Sequence, residues 1–366
     1  FCAMGITYQA FAIIPLLFIY SCLKKRMSFI TILPLLIASG LILLFLTFVS
    51  ISSDNSLFSG IIKNFGKTGG FHISNIQGKT IAFFSFLGGA ISFPVLACIP
   101  FLKKKLNLIV FTCSILSAIW LSRHLNGYNK TGIFIFICFF STGLFLTVSA
   151  ILQNLSALSF DNKSTDKLFL LIWFAGFGIY NIFFAPFGAT RYLLMLCFPI
   201  VILIVRELDS IPVMEKMRRA CLTSLTVLTG IISLSAAVAD FQYAGIYRDF
   251  AENTSKQFVK QKIWFTGEWG FRYYMEQNDA HYLYINDNRP QQGDIVVIPS
   301  LPCPTSLPDL FKRMTLKETV RIGSAFPMRI MNNTAKAAFY SHGWGFLPYS
   351  FSPAYLEEFR IYTVEE

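Results

Sequence analysis

Apolar residues fall along this chain in long blocks, at 5–23, 28–50, 80–101, 107–122, 132–152, 167–185, 190–206 and 220–240, and charges sit only at the block ends. A hydrocarbon core about 30 Å thick needs about 20 apolar residues of helix to cross it. The pattern therefore predicts a transmembrane domain over 1–240 with about eight helices. After 240 the period changes. "KIWFTG" reads as a strand, "EWGFRYYMEQND" as a helix, and "HYLYI" and "GDIVVIP" as further strands. Alternating short strands and helices predict an α/β domain over 241–366 with a partly parallel sheet. One polar stretch, 51–79, carries Leu57, Phe58, Ile61, Ile62 and Phe65 at helical spacing beside Lys63 and Lys67. That is the pattern of an amphipathic helix lying on a membrane surface.

Charge sets the expected orientation. Residues 1–240 hold 18 Lys and Arg against 7 Asp and Glu, whereas 241–366 hold 13 of each. The basic excess thus lies between the apolar blocks, where the preference for Lys and Arg in cytoplasmic loops accounts for it. The segments 24–26, 103–105, 153–167 and 206–219 carry twelve basic residues, against six in the alternating set 51–79, 123–131 and 186–191. The first set is read as cytoplasmic, which places 51–79 and 241–366 outside. No basic stripe with interleaved aromatics marks the C-terminal domain, so nothing there favours nucleic acid.

Composition agrees with a membrane class. Charged residues make up 14% of the chain, hydrophobic residues 54%, and mean hydropathy is +0.55. Seven of the eight cysteines lie in 1–240, mostly inside apolar blocks; Cys303 stands alone in the C-terminal domain, which is therefore expected to fold without an internal disulfide. No Cys/His spacing resembles a metal site. The chain opens on Phe1 and enters an apolar block without a signal-peptide pattern, as the interior of a longer protein would.

Candidate chemistry is sparse. Arg191 and Tyr192 open the seventh block at its outer end, after a Pro-Phe-Gly turn. A cation at a helix N-terminus suits a phosphate group; a snorkelling arginine beside a belt tyrosine is the other reading. Lys63, Lys67 and His72 offer a second anionic site, or simple headgroup attraction. The acidic residues of 1–240 expected outside are Asp54 and Asp240, with no acidic neighbour, so no carboxylate pair is available for acid–base work. Asp54 reads as a helix cap. Further on, Gly267 and Gly270 flank Glu268 and Trp269 in a strand-to-helix turn. Trp269, Phe271, Tyr273 and Tyr274 form either a sugar-stacking platform or a docking face, and "FYSHGWGFLPYSF" at 339–351 carries the same ambiguity.

"FFAPFGATRYLLMLCFPIVIL" resembles the late helix of bacterial glycosyltransferase family 39 proteins, relatives of the protein O-mannosyltransferases with a GT-C fold. "WFTGEWGFRYYMEQNDA", "GDIVVIP" and "SHGWGFLPYSF" resemble the C-terminal domain of a bacterial subset of that family. The likeness covers about 180–366 well and contains no catalytic motif. It implies a GT-C-like polytopic α-helical membrane protein with a C-terminal extracytoplasmic α/β domain, in a bacterial inner membrane. The implied activity is that of a hexosyl- or pentosyltransferase, which moves a sugar from a polyprenyl-phosphate donor to a lipid or glycan acceptor at the outer face. In that family an acidic residue of the first outer loop is the general base, and basic residues near the membrane hold the lipid phosphate. Arg191 and Tyr192 match the phosphate-binding role, with Lys63, Lys67 and His72 as further candidates; Glu268, Trp269 and Tyr273 are candidates for sugar or acceptor contact. No position here matches the family's base, which is expected upstream. No cofactor is implied beyond the donor lipid, and a divalent metal has no support among these residues. The competing functions are a polymerase, ligase or transporter of lipid-linked glycans, and a non-catalytic glycan-binding membrane protein. The absence of mid-block charges argues against the transporter.

Overall fold

The computed structural model describes residues 13–24, 33, 37, 40, 73–90, 105–155, 162–185, 187–210, 215–284, 289–302 and 307–365. Lys63, Lys67, His72, Asp54 and the amphipathic stretch lie outside them, as does the 28–50 block apart from Leu33, Ile37 and Gly40. The chain forms two compact units. The first comprises Phe1–Leu125, Ile133–Leu228 and Phe339–Pro348; the second comprises Asn126–Gly132, Thr229–Ala338 and Tyr349–Glu366.

The first unit is helical: α1 (Ile13–Leu23), α2 (Ile73–Ala90), α3 (Lys105–Ser122), α4 (Lys130–Leu155), α5 (Asn162–Ile179), α6 (Leu194–Ser210) and the first part of α7 (Glu215–Gln257). Among the described residues, four helices are long and apolar enough to cross a membrane, at Lys105–Ser122, Lys130–Leu152, Thr165–Phe184 and Leu222–Gln257; Thr190–Leu203 is a shorter apolar stretch. The packing of α3 is inverted relative to a water-soluble core. On α3 the buried residues are Asn107, Ser114, Ala118 and Ser122, while Leu116 and Trp120 are each 60% exposed. Small and weakly polar side chains let helices approach closely, and the outward large apolar ones are what a helix long and apolar enough to cross a membrane would turn to lipid. The hydroxyls are satisfied locally: Ser114 Oγ donates to the Val110 carbonyl at 2.8 Å and Ser122 Oγ to that of Ile119 at 2.8 Å.

α2 and α4 cross in close contact. A Cβ added at Gly88 would overlap the Phe139 carbonyl oxygen, and one at Gly143 would overlap that of Phe84. The Phe84 and Phe140 rings meet edge-on at 5.7 Å beside this crossing. Tyr20 of α1 and Lys24 just past its end both reach Asp166 on α5, at 3.3 and 2.8 Å, tying two further helices together.

The second unit is built on a mixed sheet, in the order β2–β1–β3–β9–β4, of β1 (Ile263–Phe265), β2 (His281–Tyr282), β3 (Ile295–Pro299), β4 (Met314–Ile322) and β9 (Glu357–Val364). β1 runs parallel to β2 and β3, with Trp264 opposite His281 and Val296; β9 pairs antiparallel with β3 and β4, with Val297 opposite Ile361. Period-two alternation sends Phe265 and Phe359 to one face. There Phe359 stacks on Phe250 of α7 at 3.7 Å and on Phe271 of α8 (Trp269–Gln277) at 5.5 Å. Trp264, Val296, Tyr362 and Val364 line the other face with Leu283, Leu307 and Leu310, the last on α9 (Pro308–Phe311). The central strands β1, β3 and β9 are thus buried on both sides, as parallel pairing requires, while β4 stays mostly exposed at the edge.

Between β4 and β9 the chain forms two short pairs, β5 (Met328–Arg329) with β8 (Ser350–Phe351) and β6 (Met331–Asn332) with β7 (Ala337–Ala338). Arg329, 1% exposed, holds this region together by donating to the carbonyls of Ser324, Phe326, Met328 and Ala354 at 2.5–3.2 Å.

Candidate functional site

The turn that carries Arg191 begins where α5 ends. Ala185 N donates to the Tyr180 carbonyl at 2.8 Å, five residues back, so the helix closes in a π-turn at Tyr180–Phe184. Pro186 follows, and a residue before proline is driven out of the helical region; Ala185 is extended, at φ −63° and ψ 138°. Asn181 Nδ2 bridges the turn, donating to the Phe177 carbonyl at 2.8 Å and reaching that of Tyr192 at 3.4 Å. The chain then enters a 3-10 turn, Thr190–Leu193, which opens α6.

Two other segments hold this turn. From α2, Lys79 is only 3% exposed, and its Nζ donates to the Ala185 carbonyl at 2.9 Å. From the C-terminal third of the sequence comes Phe339–Pro348, which belongs to the same helical unit. Thr190 N donates to the Phe339 carbonyl at 2.9 Å, His342 N to the Gly188 carbonyl at 2.8 Å, and Gly188 N to His342 Nδ1 at 3.0 Å. Ser85 of α2 fastens the far end of the segment through the Phe346 carbonyl at 2.5 Å. Gly188 lets the turn approach α2 closely: an added Cβ would lie 3.2 Å from the Ala82 Cβ. Residues 339–346 thus pack on α2 and on the 188–190 segment.

Arg191 itself stands exposed on the turn, with its guanidinium 5.3 Å from the Tyr192 ring. That ring tilts against Phe187 at 5.6 Å. Among the described residues no carboxylate pairs with Arg191. The structure thus joins Arg191 and Tyr192 to two groups that the sequence did not single out as site residues, Lys79 and His342. Lys79 was counted with the outer loop, and its flanking Gly and Thr hid a buried helical position. His342 reaches Gly188 across 154 residues of sequence, and such a contact leaves no local signal.

Burial and the nearby Lys79 charge hold the His342 imidazole below its usual pKa, which keeps Nδ1 free to accept from Gly188. With a folded pKa below the unfolded value of about 6.5, the folded state binds fewer protons. Its contribution to stability is therefore complete above that pH and is lost as pH falls below it. The thermal midpoint in detergent is expected to drop between neutral pH and pH ~5, by more for the parent than for His342→Asn, whose amide oxygen accepts without titrating. Equal slopes for the two proteins would remove His342 as the cause.

In the second unit, Glu268, Trp269 and Tyr273 come together at the start of α8. Trp269 and Tyr273 are 51% and 58% exposed, while Phe271 is fully buried in the sheet core and belongs to no surface platform. Comparison with protein-family models, with curated proteins and with solved structures finds no match.

Proposed function

We propose that this chain serves a membrane glycosyltransferase activity of the GT-C type, acting at the outer face of a bacterial inner membrane on a polyprenyl-phosphate sugar. The carrying observation is the exposed Arg191 at the head of α6, on a turn fixed from three sides by Lys79, Asn181 and the His342 segment. Transfer breaks the bond between the sugar's anomeric carbon and the phosphate oxygen, while an acceptor oxygen forms the new bond and gives up its proton. The charge that develops on the departing lipid phosphate needs a fixed cation. A guanidinium held at a helix N-terminus supplies one with two-pronged geometry and little reorganisation. Tyr192 shields one face of that cation. The reading assigns binding roles to this chain and no carboxylate as general base.

Arg191→Ala is expected to leave the level of protein in membranes unchanged and to lower kcat/KM for transfer from hexose- or pentose-charged undecaprenyl phosphate by ~10²–10³. Arg191→Lys retains the charge but loses the fork, and should fall between. Unaltered kcat/KM in Arg191→Ala would return this residue to the snorkelling class.

A further inference from the structure

We propose that the surface at the start of α8 is a binding site for neutral glycan chains. Its rings are outward-facing: Trp269, Tyr273 and Tyr284 are each more than half exposed. Trp269 is held at φ 62°, in the left-handed region, where a bulky residue is an outlier. The backbone before it imposes this. Gly267, at φ 122°, has Pro299 and Phe271 packed 2.8 and 3.0 Å from where a Cβ would sit, and Glu268 N donates to the Pro302 carbonyl at 2.8 Å. Strain of this kind persists where the surroundings over-determine it and gathers at ligand sites.

The polar groups beside the rings are equally fixed. Tyr282 Oη donates to Glu268 Oε1 at 2.7 Å, and Arg272 donates to Glu268 Oε2 at 3.4 Å and to Glu276 Oε1 at 2.8 Å. The guanidinium lies 4.1 Å over the Tyr282 ring, whose edge meets Tyr284 at 5.1 Å. Each carboxylate oxygen keeps acceptor capacity beyond these bonds. Sugar rings present a C–H face that stacks on an electron-rich aromatic ring, and adjacent hydroxyls that donate to carboxylates. Both requirements are met here, side by side. The charge gives no pull toward the rival occupant, a membrane surface: Glu268, Arg272 and Glu276, with Arg289 donating to the Tyr282 carbonyl at 3.1 Å, sum to zero, and interfacial aromatics on anionic bilayers are accompanied by an excess of Lys and Arg.

The proposal deepens the transferase reading by naming a ligand class for its acceptor side, but it concerns binding alone, so either can fail without the other. The full chain in phosphatidylcholine nanodiscs would be titrated with mannotetraose, cellotetraose and chitotetraose, followed by tryptophan fluorescence and by saturation transfer to the sugar protons. At least one tetrasaccharide is expected to bind, and Trp269→Gly and Tyr273→Ala to weaken it about tenfold or more. Trp269→Gly relieves the left-handed strain but gives up a half-buried ring, so its thermal midpoint is measured beside the parent's, and binding lost by protein that is still folded at the assay temperature is not lost folding. Binding by none of the three, or unchanged binding by Trp269→Gly, would overturn the proposal. So would quenching by brominated lipid of the fluorescence that distinguishes the parent from Trp269→Phe, since this would place the indole in a bilayer.

Discussion

Gly88→Leu is expected to separate α2 from α4 and to leave little folded protein. The added side chain would have to occupy space held by the Phe139 carbonyl and, 2.9 Å from its Cβ, by the Gly143 amide nitrogen. Those are backbone atoms of a helix and cannot turn aside as a side chain would. Even Gly88→Ala should therefore sit at the top of the overpacking range, about 3 kcal/mol or more. The loss should reach the candidate site, because α2 also carries Lys79 and Ser85. Gly176→Ala is the control: a Cβ there meets nothing within 4 Å, so it should be neutral or stabilising by ~0.5–1 kcal/mol. Thermal unfolding in detergent of the three variants beside the parent checks this. Similar midpoints for Gly88→Ala and Gly176→Ala would mean that the helices do not meet at Gly88.

The second large effect lies in the sheet unit. Glu357 is wholly buried, and its Oε1 accepts from Ser300 N at 2.9 Å, Ser300 Oγ at 2.5 Å and Glu358 N at 3.0 Å. Its Oε2 accepts from Tyr247 Oη at 3.0 Å, and Tyr243 Oη lies at 3.5 Å. One carboxylate thus joins the helix α7 to strands β3 and β9. Burial pushes its pKa up while these donors pull it down, and burial prevails. Glu357→Ala would leave several donors dry inside the protein, at 1–3 kcal/mol each, so a loss of roughly 3–5 kcal/mol is expected. Glu357→Gln keeps an acceptor oxygen toward Ser300 and offers its amide to tyrosine oxygens that can accept. It should lose only about 1 kcal/mol. Denaturant unfolding followed by tryptophan fluorescence separates the two. Equal losses would show that the charge, rather than the count of satisfied donors, holds the junction.

Much of the sheet unit was legible in the sequence because local pattern and burial agree there. "KIWF" and "DIVVI" alternate or run apolar as strands do, and Phe271 with Met275 gives α8 a buried stripe at helical spacing. β4 and β9 left weaker signals. β4 is mostly exposed and polar at the sheet edge, and β9 begins with two buried glutamates, one held by Ser300 and the other by Arg321 and Arg360 at 2.8 and 2.9 Å. Neither arrangement follows from alternation. Hydropathy likewise marked 240 as the end of the last apolar block, yet α7 continues to Gln257. Its stripe of Tyr243, Tyr247, Phe250 and Thr254 keeps the helical period after the composition has turned polar. At the candidate site, Arg191 was visible because a charge at the head of an apolar block demands an account. The π-turn, the buried Lys79 and the His342 contact depend on segments distant in sequence, and no local pattern encodes them.

The central claim is that the turn at the head of α6 holds a polyprenyl phosphate. Native mass spectrometry of the chain carrying undecaprenyl phosphate, set against undecaprenol, tests it most directly, since the two lipids differ only in the group that Arg191 would bind. The account predicts that the phosphate lipid is retained by the parent, that the alcohol is not, and that Arg191→Ala loses the difference. Equal retention of both lipids by the parent, or a preference for the phosphate that survives in Arg191→Ala, would contradict it.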